Sequence, residues 1–453
     1  MYWRQTTIAV MLLLVVEGAL RKWVFPEAQA ALYLAKDVLL LGAYLGFAMT
    51  HGFAAPARQA QPFVILLAMT AAWGLLEMLN PALPSLVLAA VGWRSYFFYV
   101  PLLFMVPHLF DSLDHIYRAL GRYVLFAIPV AALGVVQFFS PMDSPMNTNV
   151  QHELGVGDPT GFYDIDNRVR VTGPFAFISG YTSYLLVAAV LVVALLAGKG
   201  WSFRGNITLY GALILILAAM FATGSRAPVY SLIAVLAIYA VFAAAAGDLS
   251  IGAAFRACVG AAILATAIWN LLPEPATAFY QRATGTDDTM SRILSPLVEP
   301  FQILGEVGPF GFGIGAAHQS AAFLVDSDYS WWTNGLVAEA ETSKVMLELG
   351  ILGFIFVFLF RIGITLFALR TAFELKSRPE RSLALVLALF LGLQIFGSVI
   401  FNPTMDVLYW FAVGMLFALH RYEERDAWIA GNLDVMPGIQ IPGSAERGRT
   451  RNA

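Results

Sequence analysis

Apolar runs of about twenty residues recur along almost the whole chain, separated by short charged or Pro/Gly-rich breaks. A helix of that length crosses a hydrocarbon core of about 30 Å. The runs are continuously apolar and lack the in-out alternation of barrel strands, so helices rather than a β-barrel satisfy the backbone in lipid. The pattern predicts twelve helices, at 6–24, 31–50, 62–79, 86–107, 119–139, 175–197, 207–223, 228–246, 255–272, 344–367, 383–401 and 407–421. Two long polar segments interrupt them, 140–173 and 273–343, and a third break, around 361–381, is basic. The expected architecture is an all-α polytopic membrane domain over 1–421 with two large outer loops. A polar tail follows at 422–453, rich in Gly, Pro and Arg and expected to be disordered.

Composition agrees with this picture. The 453 residues are 59% hydrophobic and 13% charged, against about 25% charged in a soluble domain, and mean hydropathy is +0.72. Cys258 is the single cysteine, so neither a disulfide nor a thiolate metal cluster is available. The first run could be read as a signal peptide, with Arg4 ahead of it and Ala28-Gln29-Ala30 as a cleavage site. Glu17, Arg21 and Lys22 place charge within and just after that run, which favours a retained helix. No internal repeat is evident, and this counts against an inverted-repeat transporter.

Charge placement orients the helices, because Lys and Arg concentrate in short cytoplasmic loops. With the N-terminus inside, the even-numbered connections hold Arg58, Arg118 and Arg122, Lys199 and Arg204, then Arg361, Arg370, Lys376, Arg378 and Arg381. The tail adds Arg421, Arg425, Arg447, Arg449 and Arg451 on the same side, and both termini are expected in the cytoplasm. The two long segments then fall outside, and they are acidic: Asp143, Glu153, Asp158, Asp164 and Asp166 in the first, and Glu274 through Glu341 in the second.

Against that trend stand cations on the expected outer side: Arg21, Lys22, Lys36, Arg94, Arg168, Arg170, Arg226, Arg282, Arg292 and Lys344. Arg94 lies about 10–15 Å along its helix, where an arginine costs a few kcal/mol unless it faces a wet cavity or a partner. Such arginines can snorkel or pair with Glu17, Asp37, Glu77 or Asp406. Converging at one depth, they also suit a lipid-linked phosphate or pyrophosphate, whose oxygens match the two-pronged guanidinium. Glu339 and Glu341, before the helix opening at Lys344, suit either a general base for a sugar hydroxyl or stabilisation of the helix dipole. His318 is a second base candidate. The glycine run Gly311-Phe312-Gly313-Ile314-Gly315 follows no strand, so it reads as a bend or close-packing device rather than a nucleotide motif.

Several short motifs, in this order, resemble the O-antigen ligase and polymerase (Wzy-type) superfamily of bacterial envelope polysaccharide enzymes. Arg168 through Phe177, Arg-Val-Arg-Val-Thr-Gly-Pro-Phe-Ala-Phe, resembles the family's entry into the helix after its first outer loop. Gly224-Ser225-Arg226 looks like its Ser-Arg turn, and Leu347-Glu348-Leu349-Gly350-Ile351-Leu352-Gly353 like its Glu-x-Gly-x-x-Gly helix. Asn402-Pro403 with Asp406 and Trp410 occupies the final helices. Glu17 through Trp23 with Lys36-Asp37 is similar to an exopolysaccharide polymerase-like subgroup. Where ligases of the family carry a His-Asn pair, this chain has Glu339 and Ala340, which favours polymerase over ligase.

The resemblance implies a GT-C-like fold in the bacterial inner membrane and a glycosyltransferase needing no metal or cofactor. Its substrate would be an undecaprenyl-pyrophosphate-linked oligosaccharide, its partners a flippase and a chain-length regulator, with no role for nucleic acid. Arg226, Arg94, Arg168 and Arg170 would hold the donor pyrophosphate, with Arg292 and Lys344 beside them. Glu339, Glu341 or His318 would take the acceptor proton. The alternatives are a ligase of the same superfamily, a secondary transporter of an anionic solute and a non-catalytic assembly subunit. An outer loop of about seventy residues is rarely needed by a transporter.

Overall fold

The structure, a computed structural model, describes residues 2–53, 60–148, 169–198, 202–245, 247, 266, 269–270, 273–284, 289–319, 321–324 and 338–433. The elements are α1 (Tyr2–Ala19), α2 (Gln29–His51), α3 (Gln61–Glu77), α4 (Leu86–Phe97), α5 (Leu113–Phe139), α6 (Ile178–Gly198) and α7 (Phe203–Ala222). They continue with α8 (Arg226–Ala245), α9 (Pro273–Thr284), α10 (Thr289–Gln302), α11 (Glu341–Glu374), α12 (Arg378–Leu393) and α13 (Pro403–Leu433). Among the described residues there is no strand, and seven helical stretches are long and apolar enough to cross a membrane. The chain is a multi-pass helical membrane protein. The expected helix at 255–272 lies almost wholly outside the described residues.

The helices alternate in direction, so the bundle has two ends that can be named by the ends of α1. At the Arg4 end, Arg4 bonds Asp111 at 2.9 Å, Arg421 donates to the Pro107 carbonyl at 3.1 Å, and the Tyr239 hydroxyl meets Ser382 at 3.1 Å. At the Lys22 end, Lys22 reaches the Thr172 hydroxyl at 3.0 Å, and Asn402 reaches Ser183 at 2.9 Å. Helix α6 is the axis. It carries no charge, is apolar on every face, and packs against α5, α7, α8, α12 and α13. A helix hydrophobic all round belongs inside a bundle.

Several expected boundaries change for local physical reasons. The fourth span breaks after Phe97, because Pro101 and Pro107 lack the N–H that a continuous helix needs, and resumes as Leu102–Met105 and a short 3-10 turn, Val106–His108. The penultimate span stops at Leu393, not at 401, and 394–402 is irregular until Asn402 caps α13, its Oδ1 accepting from the Met405 N–H at 3.3 Å with Pro403 at the first turn. The polar segment 273–343 is not a bare loop, since it contains α9, α10 and the short turns Leu304–Val307 and Ala321–Leu324. Nor does order end at Arg421, for α13 runs on to Leu433; the rest of the tail lies outside the described residues.

The largest correction concerns α11. Its helical run is interrupted at Gly350, which adopts φ 64° and ψ −170°. On a straight helix Glu341 and Arg361 would stand about 30 Å apart. Here Arg361 Nη2 lies 2.5 Å from Glu341 Oε1, so the chain doubles back at Gly350 and the 341–349 arm returns into the bundle. Arg361 is therefore not one of the basic residues at the Arg4 end. It is buried near the Lys22 end and also donates to the carbonyls of Gln394, Ile395 and Gly397 at 3.2–3.3 Å.

The turn at Gly350 admits no side chain, since a Cβ there would sit 2.2 Å from the Pro309 carbonyl oxygen. Gly350→Ala should lower stability by about 2–5 kcal/mol, from backbone strain plus overpacking. Gly42→Ala, where a Cβ meets nothing within 4 Å, should be neutral or slightly stabilising. Thermal melting of the detergent-purified variants measures both.

Candidate functional site

Of the cations that stood against the charge trend, Arg21, Lys22, Lys36 and Arg94 gather at the Lys22 end. After α1 the chain continues as a π-helical turn, Leu20–Val24, in which the adjacent residues Arg21 and Lys22 are both buried. Lys36, fully buried on α2, bonds Glu17 at 2.8 Å, and Arg21 bonds the same carboxylate at 3.1 Å. Arg94 of α4 donates through Nε to Asp37 at 2.9 Å and through Nη2 to the same oxygen, while the Tyr99 hydroxyl donates to the other at 2.8 Å. The Tyr33 ring is the hub of this group: Lys36 Nζ lies 4.1 Å, the Arg94 guanidinium 5.1 Å and that of Arg21 5.4 Å from its centroid. A ring face attracts cations through its quadrupole, more strongly where water is excluded.

Lys22 turns the other way, to neutral acceptors: the Thr172 hydroxyl and, at 2.6 Å, the Gly173 carbonyl. Gln137 grips Gly173 from the opposite side, accepting its N–H at 2.8 Å. The segment leaving the first polar loop is thereby tied to α1 and α5. Its contact with α1 requires Gly18, where a Cβ would lie 2.3 Å from the Ala176 nitrogen. In this cluster three basic side chains, Arg21, Lys36 and Arg94, share two carboxylates, Glu17 and Asp37, while Lys22 beside them has only neutral acceptors. The surplus of buried positive charge makes the region receptive to an anion.

The returning arm of α11 builds the second part. Its first amides are capped by Glu299 of α10, whose Oε2 accepts from the Ala340 N–H at 2.9 Å, the Glu339 N–H at 3.2 Å and the Ser343 hydroxyl at 2.7 Å. A carboxylate at a helix N-terminus is favourable through both hydrogen bonds and the dipole. Glu341 is committed to Arg361 and to the Phe401 N–H at 3.1 Å. Between the arm, α10 and the 394–402 segment lies a cleft of about 250 Å³, lined by Glu339, Glu341, Lys344, Ser295, Ser398 and Phe401. Lys344 stands 5.4 Å from the Phe401 ring centre.

The glycine run threads between these parts. The Phe312 and Gly313 N–H groups donate to the Leu347 and Glu348 carbonyls at 2.8 and 3.0 Å, and Gly315 packs so closely on α4 that a Cβ would meet the Leu88 oxygen at 2.4 Å. It is a packing strap. The strap carries His318, buried with its ring 6.5 Å from that of Phe401. Burial, and the positive charges of Arg94 and Lys344, push the His318 pKa down to about 4. The ring is neutral at pH 7 and a weak base.

Arg94, Lys344, Glu341 and His318 thus belong to one connected region, with Glu339 exposed at the cleft. Arg94 has the carboxylate partner that the snorkel-or-pair alternative called for. Arg226 opens α8 after the left-handed turn at Gly224 and stands at the Lys22 end, but no hydrogen bond or ring contact joins it to Arg94. Arg170 is half-buried just before the Thr172–Gly173 anchor, and Arg292 is exposed on α10. Arg168 lies outside the described residues. Missed from sequence were Tyr33 as a cation hub, Glu299 as the cap and the Glu341–Arg361 pair. The last had a signal, an acid and a base flanking a mid-helix glycine at nearly equal separations.

No protein-family model matches the chain, and no curated protein matches it in sequence. Fold and site define a class: a multi-pass helical membrane protein that buries cations at the end opposite its basic connections.

Glu17→Gln would leave Lys36 and Arg21 without their carboxylate and should cost about 3–5 kcal/mol, read as a lowered melting temperature in detergent. For His318 the unfolded pKa of 6.5 exceeds the folded value of about 4. Its contribution is complete above about pH 6.5 and is lost as pH falls toward 4, by up to about 3 kcal/mol. His318→Gln should therefore flatten the melting-temperature profile between pH 6.5 and 4 relative to the wild type.

Proposed function

We propose that this protein is a polysaccharide polymerase that joins undecaprenyl-pyrophosphate-linked oligosaccharide units at the outer face of the bacterial inner membrane. The observation that carries the reading is the gathering of buried cations at one end of the bundle, beside a cleft with an exposed carboxylate, at the end away from the basic connections. In this reading twelve helices cross the membrane, both termini are cytoplasmic and the Lys22 end faces outward.

The chemistry follows from charge. The acceptor hydroxyl attacks the anomeric carbon of the donor sugar, a new glycosidic C–O bond forms, and the bond to the pyrophosphate oxygen breaks. The electron pair leaves with the pyrophosphate, which Arg94, Arg226, Arg168 and Arg170 stabilise, with Lys344 and Arg292 at its margin. Positive charge fixed where negative charge develops needs no reorganisation during reaction. Glu339, exposed at the cleft, takes the acceptor proton, since Glu341 is held by Arg361 and His318 is buried on the strap. Neither a metal nor a cofactor enters this scheme.

Arg226→Ala and Glu339→Gln, expressed at wild-type levels, should each lower polymer output at least tenfold, with single repeat units accumulating on the lipid carrier. Unchanged polymer length and amount would sink the assignment. Accumulation of full-length free chains would instead make the protein a ligase. The orientation has its own test: in a Cys258→Ser background, Arg292→Cys should react with a membrane-impermeant thiol reagent from the periplasmic side.

A further inference from the structure

Inside the bundle, apart from the cleft, a cavity of about 40 Å³ lies between α3, α4, α11 and α13, lined by Thr70, Tyr96, Arg361, Asp406 and Tyr409 among apolar neighbours. Asp406, Tyr409, Tyr96 and Arg361 are all buried. Asp406 Oδ1 and the Tyr409 hydroxyl have no hydrogen-bond partner among the described atoms, while the Tyr96 hydroxyl meets the buried Glu348 carboxylate. Buried polar atoms without partners are rare and mark unseen water or ions. At about 10–15 Å³ per water, the cavity holds roughly three or four.

The charge balance decides what else it holds. Arg361 lines the cavity, but its guanidinium is committed to Glu341 at 2.5 Å and to three backbone carbonyls. One guanidinium thus faces two buried carboxylates, Glu341 and Asp406. The other groups near Asp406 are Tyr409 and Trp410 on its own helix, Tyr96 and Arg94 on α4, and Tyr44 on α2. Arg94 is already paired with Asp37. An isolated carboxylate in this setting is expensive, and neutralisation removes the penalty. A metal cation would have to sit against the Arg361 guanidinium, whereas a proton on Asp406 adds no such repulsion.

We propose that this cavity is a hydrated proton-binding site, in which Asp406 holds a proton and a small water cluster joins it to the Tyr409 hydroxyl. Glu341 borders the open cleft and grips Arg361, so the site lies one ion pair away from the cleft. Loss of the proton would draw Arg361 toward Asp406 and loosen Glu341. The proposal does not depend on the reaction carried out in the cleft.

The test is infrared spectroscopy of the full chain in detergent at pH 7, with melting curves in sodium and in choline chloride at equal ionic strength. Expected is a protonated-carboxyl component that is lost in Asp406→Asn, shifts in frequency in Tyr409→Phe and survives in Glu348→Gln, which removes the buried carboxyl beside Tyr96. Because a neutral amide replaces a neutral acid, Asp406→Asn should melt within a few degrees of the wild type. A spectrum in which Asp406→Asn loses no protonated-carboxyl component relative to the wild type, or an Asp406→Asn protein that no longer folds, overturns the proposal. Sodium-dependent stabilisation that Asp406→Asn abolishes also overturns it, in favour of a metal-cation site.

Discussion

The reversal at Gly350 organises the Lys22 end of the bundle. Because the chain doubles back there, an acid and a base twenty residues apart in α11 meet as a buried ion pair, and the 341–349 arm sinks toward the 394–402 segment. Each feature supports the next. The Pro309 carbonyl and the strap at 311–313 fill the space beside Gly350, Glu299 satisfies the amides of the returning arm, and Arg361 satisfies the free carbonyls after α12. Breaking such a pair leaves an uncompensated buried charge, which costs far more than the pair itself contributes.

The same constraint explains how the cations are arranged. Lipid offers no solvation, so buried Arg and Lys must find carboxylates, ring faces or carbonyls. Tyr33 serves three cations at once because the Lys36 neighbour on its own helix, Arg21 from the π-turn and Arg94 from α4 all reach its ring. The π-turn matters here: it lets consecutive residues both face inward. The first-loop exit is held to the same cluster through Lys22, so the motif that ends at Phe177 is placed by electrostatics as much as by packing.

Much of the fold was legible along the chain. Apolar runs marked where helices form, and seven helical stretches among the described residues are long and apolar enough to cross a bilayer, which imposes a minimum length and an almost uncharged composition. Among the described residues, Arg118, Arg122, Arg204, Arg370 and Arg421 stand toward the Arg4 end, as loop charge suggested. The loop-charge reading failed at Arg361, whose position among basic neighbours suggested a connection while its partner, Glu341, lay twenty residues upstream. The bare-loop reading of 273–343 failed for a related reason. Helices α9 and α10 are polar enough to look like loop and owe their place to packing on α7 and α11. The short motifs proved to be places where glycine, asparagine or proline permits a turn, at Gly173, Gly224, Gly350 and Asn402.

By itself the sequence determined the solvent, the helical class, the approximate apolar runs and the uneven spread of charge among the breaks between them. These are one-dimensional properties, set by length, hydropathy and loop charge. Tertiary structure alone decided which charges pair, which carboxylate stays open at the cleft, and that Asp406 faces a cavity with its neighbouring guanidinium already committed. Those outcomes depend on contacts between residues far apart in the chain, and local pattern carries no record of such distances.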